Sequence, residues 1–319
     1  MSLIALVALL SPPQTSGIEA RFAEIEAASK GKLGAAIVTA QSAHYSRKGE
    51  RFSLQSVMKL LVSMAALDRV DQGKWKLNQK FVFRRSDLSL SRQPIVDRLG
   101  KRDSIMVSVA DCIELTVTQS CSASGDFLIR KMGGVHVVNA FLRRRGITGM
   151  SVDRQERDLQ TQIGGIVWRP EYVDEAKIDA AFRRVSERAK DAAYRKYQAD
   201  PRDTTTPGAM ALLLQKLVTG KLLSQGSTRY LMGVMERTET GPDRLRAGIP
   251  KGWTLGNKTG TSGSRKGVAC ATNDVGFVRG PEGEWLVIVA MLRNSTLDED
   301  GRAAVLRRVA EAAFVDQKL

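Results

Sequence analysis

The sequence predicts a mixed α/β protein in which a helical domain is inserted into an α/β sandwich. Three observations carry this. Short apolar runs that suit strands lie near the N-terminus and return in the last third. Helical spacing of apolar residues fills the middle. An amphipathic helix then closes the chain. With 319 residues there is room for one large domain or two modest ones, each with a substantial core. Hydrophobic residues make up 43% and charged residues 26%, which is ordinary globular usage and excludes wholesale disorder.

The elements follow in order. Residues 18–29 space Ile18, Phe22 and Ile25 as on a helix, which Gly31 and Gly34 stop. Residues 33–39 form an apolar run of strand length, and Arg51-Phe52-Ser53 a shorter one. From Val57, apolar residues recur at three- and four-residue intervals through Leu60, Leu61, Met64 and Leu67, a long helix. Helical readings continue over 107–117, 125–132 and 135–144. Thr206 as N-cap and Pro207 at the first position open another helix, which runs to Val218 and ends at Gly220. Residues 254–257, 274–278 and 285–292 read as strands, the last almost continuously apolar and so central in its sheet. Residues 302–314 form the closing helix. Within 164–201, residues 171–199 are charged and Ala-rich, with Val173, Ile178, Phe182, Val185 and Ala189 on one face, a surface helix packed on the body.

The net charge of +15 first suggests nucleic acid. The positive residues are dispersed, however. The densest runs, Arg143-Arg144-Arg145 and Arg183-Arg184, are short and mixed with apolar and acidic residues, as on a solvated basic surface. Cys112, Cys121 and Cys270 are odd in number and lack CxxC spacing, and His44 and His136 stand far apart, so neither a metal site nor a disulfide framework is expected. Leu3 to Leu10, followed by Ser11-Pro12-Pro13, has the apolar core of a secretory signal without its basic start, and is too short to span a bilayer.

The chemistry centres on Ser56-Val57-Met58-Lys59 at the start of the long helix. The i, i+3 spacing puts both side chains on one face, so the amine can reach the hydroxyl and activate it as a nucleophile. The helix N-terminus also aims backbone N–H groups at developing negative charge. Alone this is a weak signal, and Ser29-Lys30-Gly31-Lys32 repeats it in a Gly/Lys turn with no helix behind it. The company of Ser56 raises it. Lys258-Thr259-Gly260 lies on a strand, followed by Thr261, where a lysine and a threonine can hold a carboxylate and a glycine lets backbone approach a bound acyl group. Ser120 follows the 107–117 run, where a third hydroxyl partner is expected.

With these motifs in this order, the chain resembles the class A serine β-lactamases from about Ile18 to its C-terminus. Arg154-Gln155-Glu156-Arg157-Asp158-Leu159-Gln160 resembles the family's omega-loop motif R-x-E-x-x-L-N, and Asp203-Thr204-Thr205-Thr206-Pro207 its exit. Thr240 to Pro250 and Gly252-Trp253 resemble the approach to the K-T-G strand.

The resemblance implies an antiparallel sheet with flanking helices plus an all-helical domain. Residues 18–55 and 237–319 would form the sheet domain, and 56–236 the helical domain. The omega loop would span 154–203 with an inserted helical segment near 164–201, and 1–17 would be a signal remnant or tail. It also implies a β-lactam substrate, hydrolysed through a Ser56 acyl-enzyme with no cofactor or metal, by a monomer that is periplasmic or secreted. Lys59 would assist acylation and Glu156 would activate the deacylating water. Ser120 and Lys258 would pass a proton to the leaving nitrogen. The N–H groups of Ser56 and Thr261 would form the oxyanion hole, Thr259 and Arg244 the carboxylate pocket, and Arg154 and Asp203 a pair across the loop's neck, read as an ordinary surface ion pair or a functional one.

Two positions depart from the family. Its S-D-N motif reads Ser120-Cys121-Ser122, which shortens the group that orients the substrate's side-chain carbonyl and leaves Cys121 as a small buried hydrophobe. Gln160 stands where an asparagine positions the deacylating water. The alternatives are a penicillin-binding or D-Ala-D-Ala peptidase-like acyl-transferase with slow deacylation, which the altered motif favours and Glu156 opposes, and a non-catalytic basic binding module of the same fold.

Overall fold

The structure, a computed structural model, describes residues 17–315, so the signal-like run at 3–10 lies outside the described residues. Helix α1 (Gly17–Ala28) precedes strands β1 (Lys32–Val38), β2 (Ala43–Ser46) and β3 (Phe52–Ser53). Next come α2 (Met58–Asp71), β4 (Lys80–Arg84), α3 (Ile95–Leu99), β5 (Ser104–Ser108), α4 (Val109–Thr118), α5 (Ser122–Met132) and α6 (Val135–Arg144). Then follow α7 (Glu156–Ile163), α8 (Glu175–Arg184), α9 (Glu187–Gln198), β6 (Thr204–Thr205), α10 (Pro207–Val218) and α11 (Gln225–Glu236). The chain ends in β7 (Thr254–Thr261), β8 (Ser264–Arg265), β9 (Val268–Arg279), β10 (Trp285–Ser295) and α12 (Glu299–Val315).

The main sheet is antiparallel in the order β2-β1-β10-β9-β7, with β8 paired to β9. The unbroken apolar run of β10 has a simple cause. Leu286, Ile288, Ala290 and Leu292 join the core under α1 and α12, while Val287, Val289 and Met291 join the core shared with the helices on the other side. Period-two alternation thus divides one apolar strand between two cores, and both faces are covered. Every residue of α2 from Met58 to Asp68 is buried, so this helix is enclosed all round. Thr206 caps α10 as expected, accepting from the Ala209 N–H with Pro207 in the first turn.

Two readings are corrected. The helix expected over 107–117 begins only at Val109, because Val107 and Ser108 close β5, paired with β4. Ser108 then caps α4, accepting from Asp111 N–H while Asp111 accepts from Ser108, a reciprocal capping box. The single helix expected over 171–199 is a 3-10 turn (Pro170–Val173) and two helices, α8 and α9. The chain breaks at Val185, where Ser186 caps α9. Phe182 and Val185 fold back onto Gly164 and Gly165 at the exit of α7, where a Cβ on Gly164 would lie 2.2 Å from the Phe182 ring. Ala189 is exposed; α9 instead buries Tyr194 and Tyr197, which the expected stripe omitted.

The neck of this excursion is also deeper than a surface pair. Arg154 Nε donates to Asp203 Oδ2 at 2.6 Å, and both side chains are buried. Asp203 Oδ1 accepts from the N–H groups of Asp153 (2.6 Å) and Arg154 (3.0 Å), and Arg154 Nη1 also pairs with Asp200 at 3.1 Å. Asp203→Ala leaves the buried guanidinium with Asp200 as its carboxylate partner and the Gln162 side-chain oxygen (2.9 Å). It is expected to lower stability by about 3 kcal/mol, read as a shift in the urea unfolding midpoint; a loss under about 1 kcal/mol would rank the pair with surface ion pairs.

Candidate active site

Ser56 lies on a 3-10 turn (Gln55–Val57) that runs directly into α2, rather than on the α-helix itself. Gln55 before it adopts φ 47°, a left-handed conformation rarely taken by non-glycine residues and concentrated at functional sites. One turn on, Lys59 Nζ donates to Ser56 Oγ at 2.9 Å, as the S-x-x-K spacing requires. The same ammonium donates to the Ser120 carbonyl (3.0 Å) and to Ser122 Oγ (3.1 Å), and stands 3.4 Å from Glu156 Oε2.

Ser120 joins α4 to α5 and is also left-handed, at φ 58°. This turn points its carbonyl at Lys59 and its hydroxyl at Lys258, whose Nζ donates to Ser120 Oγ at 2.9 Å. Cys121 is buried and accepts from Ser124 Oγ at 3.2 Å, and all three cysteines are free and buried. Ser122 Oγ accepts from Lys59, so the short replacement still supplies an acceptor to the lysine.

Glu156 opens α7, and Asp126 from α5 fixes where it opens. The Asp126 carboxylate accepts from the N–H groups of Glu156 (2.7 Å) and Arg157 (3.1 Å), doing from another helix what an N-cap does locally. Burial pushes the Asp126 carboxyl above its ordinary range. Gln160, one turn along α7, donates Nε2 to Glu156 Oε1 (2.8 Å) and to Gln55 Oε1 (3.0 Å). Glu156 Oε2 is buried without a hydrogen bond of its own.

Strand β7 supplies the opposite wall. A Cβ on Gly260 would lie 2.6 Å from the Leu54 carbonyl and 3.2 Å from Ser56 N, so only glycine lets β7 pack on the nucleophile's turn. Thr259 Oγ1 shares a 2.6 Å hydrogen bond with Thr240, and Arg244 donates to Thr261 Oγ1 at 2.7 Å and to the Asn273 carbonyl at 3.1 Å. Lys258 is fully buried; that burial first, with Lys59 nearby, holds its ammonium well below the usual lysine range.

Ten of the eleven residues singled out in the sequence line one cavity of about 550 Å³, and Lys258 sits behind it against Ser120. Ser91, Arg92, Glu239 and Glu299 also line it and carry no sequence signal, since each arrives from a loop or helix end distant in the chain. Asp126, Gln55 and Asp274 were missed as well. A carboxylate following Ser120-Cys121-Ser122 on an apolar helix was the one legible hint for Asp126.

A model of the β-lactamase enzyme family matches residues 17–316. The extended-spectrum β-lactamase PER-1 of Pseudomonas aeruginosa is 26% identical over 265 residues, covering 83% of this chain and 75% of that protein. β-Lactamase L2 of Stenotrophomonas maltophilia is 29% identical over 296 residues, covering 92% and 83%. Among solved structures, an ancestral class A β-lactamase (GNCA) is 31% identical with a TM-score of 0.73, over 92% of this chain and 98% of that one. A β-lactamase from Chitinophaga pinensis is 26% identical with a TM-score of 0.76, over 93% and 98%.

Asp274 on β9 pairs in register with Thr259 and is buried, accepting from Asn257 Nδ2 (2.7 Å) and Leu245 N–H (3.2 Å). Burial outweighs these bonds and the nearby Arg244, and pushes its carboxyl up to about 7. In the unfolded chain an aspartate titrates near about 3.9. Between those values the folded state alone holds the proton, so this group's stabilisation is complete at low pH and is lost as pH rises through about 7. The wild type is therefore expected to lose stability relative to Asp274→Asn between about pH 5 and pH 8, followed by urea unfolding across that range. Parallel curves for the two proteins would contradict it.

Proposed function

This chain belongs to the β-lactamase enzyme family and has the class A serine β-lactamase fold, and we propose that it opens the β-lactam ring through a Ser56 acyl-enzyme that a water activated by Glu156 then hydrolyses. The observation that carries this reading is the single ammonium of Lys59, hydrogen-bonded to Ser56 Oγ and 3.4 Å from Glu156 Oε2.

Lys59 as an ammonium has three hydrogens, all engaged by Ser56 Oγ, Ser120 O and Ser122 Oγ. It cannot take the serine proton in that state. The proton therefore ends on Glu156, whose Oε2 is unbonded, either through a water or by way of Lys59 after Lys59 has passed its own proton to Glu156. Ser56 Oγ attacks the lactam carbonyl, and the oxyanion is held by the N–H groups of Ser56 and Thr261, which the bare Gly260 backbone brings together. As the C–N bond breaks, Ser120 gives its hydroxyl proton to the leaving nitrogen and recovers one from Lys258, whose burial favours release. Thr259 and Thr261 hydroxyls bind the substrate carboxylate, with Arg244 fixing the Thr261 hydroxyl. Ser122, its oxygen occupied by Lys59, has its own hydrogen for the substrate's side-chain carbonyl. Glu156 then gives up the acylation proton, which returns by way of Lys59 and solvent to refill Lys258. In the second half, Gln160 and Glu156 hold the water, and Glu156 takes its proton as the oxygen adds to the ester carbonyl. That proton passes by way of Lys59 to Ser56 Oγ as the C–O bond breaks.

No helix among the described residues is long and apolar enough to cross a membrane. The signal-like run at 3–10 supports an exported protein acting in the periplasm or outside the cell.

The test is steady-state hydrolysis of a chromogenic cephalosporin with intact-mass detection of adducts. The wild type is expected to turn over continuously and Ser56→Ala not at all. Glu156→Ala is expected to slow turnover by ~10²–10⁴-fold while an acyl adduct accumulates. A stable adduct already in the wild type would move the assignment to a penicillin-binding-type acyl-transferase.

A further inference from the structure

We propose that Tyr197, carried into the protein by the inserted helix α9, is a positioning residue for Glu156 that acts through Gln55 and Gln160. The proposal rests on the reading of Glu156 as the deacylating base.

The contacts form one connected run with a single sense. The Tyr197 hydroxyl is buried between α9 and the turn that bears Ser56, where it meets the Gln55 side-chain amide and, at 2.7 Å, Ser53 Oγ. Gln55 Nε2 donates to the phenol oxygen, which also shares a hydrogen bond with Ser53 Oγ. With its nitrogen committed there, Gln55 turns its Oε1 toward Gln160, which donates to it at 3.0 Å. Gln160 Nε2 spends its second hydrogen on Glu156 Oε1 at 2.8 Å. The Glu156 carboxylate only accepts, so Gln160 must turn its N–H₂ to it. Reversing Gln55 would then set two N–H₂ groups against each other, so the run has one sense and closes with Gln55 donating to the phenol oxygen. The far end of the run is the carboxylate: Oε1 is held, and Oε2 is left bare and buried, 3.4 Å from Lys59 Nζ. That bare oxygen is the one able to accept a proton.

Two further features point the same way. Gln55 sits at φ 47° directly before the nucleophile, and a strained residue holds its conformation only where its surroundings fix it. Burial also pushes the Tyr197 phenol far above its ordinary range, so it remains a neutral partner throughout the working pH range. Helix α9 does not depend on the Tyr197 hydroxyl for its seat. Tyr194 bonds the Gly263 carbonyl (2.8 Å) and the Cys270 N–H (2.9 Å), and Asp191 accepts from Arg265 Nε (2.5 Å). Removing one oxygen atom from Tyr197 therefore leaves the helix docked.

The experiment compares Tyr197→Phe with the wild type and with Glu156→Ala, using a chromogenic cephalosporin, rapid-quench intact mass and thermal melting. In Tyr197→Phe, kcat is expected to fall by about tenfold, the loss of one hydrogen bond, and KM to fall with it. The quotient kcat/KM is expected to fall less than kcat, since Glu156 also serves acylation, and an acyl adduct to appear during steady state. The acid limb of kcat is expected to move to higher pH, since a carboxylate robbed of an amide donor binds its proton more tightly. Gln55→Met cuts the next link and is expected to give the same signature, which keeps the test open if Tyr197→Phe does not fold. A wild-type kcat in Tyr197→Phe beside a trapped adduct in Glu156→Ala would overturn the positioning role alone. A loss of kcat/KM with no adduct would mark simple structural damage and overturn it too. Unimpaired turnover in Glu156→Ala would remove the base itself, and the proposal with it.

Discussion

Lys59 brings a positive charge into a place where only 2% of its surface meets solvent, and the surrounding chain is arranged around that charge. A buried ammonium without partners is untenable, and its cost is offset only when donors and acceptors are matched around it. The matching oxygens come from three separate segments: Ser56 on the 3-10 turn, Ser120 before α5 with Ser122 in its first turn, and Glu156 on α7. Each is held by something further out. Gly260 lets β7 press on the Ser56 turn, Asp126 sets where α7 starts, and left-handed Ser120 turns its carbonyl inward. The strain at Gln55 and Ser120, on the order of 1–3 kcal/mol each, is what allows one ammonium to face all of these groups.

Local spacing explains what was legible in the chain. Ser56 and Lys59 meet because three residues make nearly one helical turn, and Lys258 to Thr261 share a strand, so both motifs could be read without knowing the fold. The burial of β10 was legible for the same reason, since an unbroken apolar run needs cover on two sides. Other features depend on contacts between distant segments. Asp126 acts on α7 thirty residues away, and Tyr197 reaches Gln55 across 142 residues. Neither has a local pattern to announce it. Residues 107–108 misled for a related reason, because the β-branched Val107 fits a strand end and a helix start equally well until the partner β4 decides.

The arginines make a similar point about charge. Arg144 and Arg145, in the densest basic run, both pair with buried Asp68 at 2.7 Å, so two of the charges that enlarge the net +15 help seat α6 against α2. Arg154, Arg244 and Arg265 are likewise committed to specific acceptors. A formal sum over the sequence counts these as free positive surface, whereas each is spent on an internal contact. A basic total is therefore weak grounds for an anionic partner when burial is unknown.

The inserted helices change how the site is braced. Helix α9 packs against α7 on one side, and on the other it holds the hairpin that follows β7 through Tyr194, Glu187 and Asp191. One element thus touches both walls of the cavity, the wall with Glu156 and the wall with Lys258. Motions that would separate those walls must break contacts to a common body, which ties the position of the carboxylate to that of the oxyanion-binding strand. The departures at Ser122 and Gln160 fit this frame. Ser122 retains the acceptor that Lys59 needs, and Gln160 extends the carboxylate's support outward to Gln55 and so to α9. A shorter residue in one place and a longer one in the other leave the charge balance at Lys59 intact while moving the scaffold's anchor into the insertion.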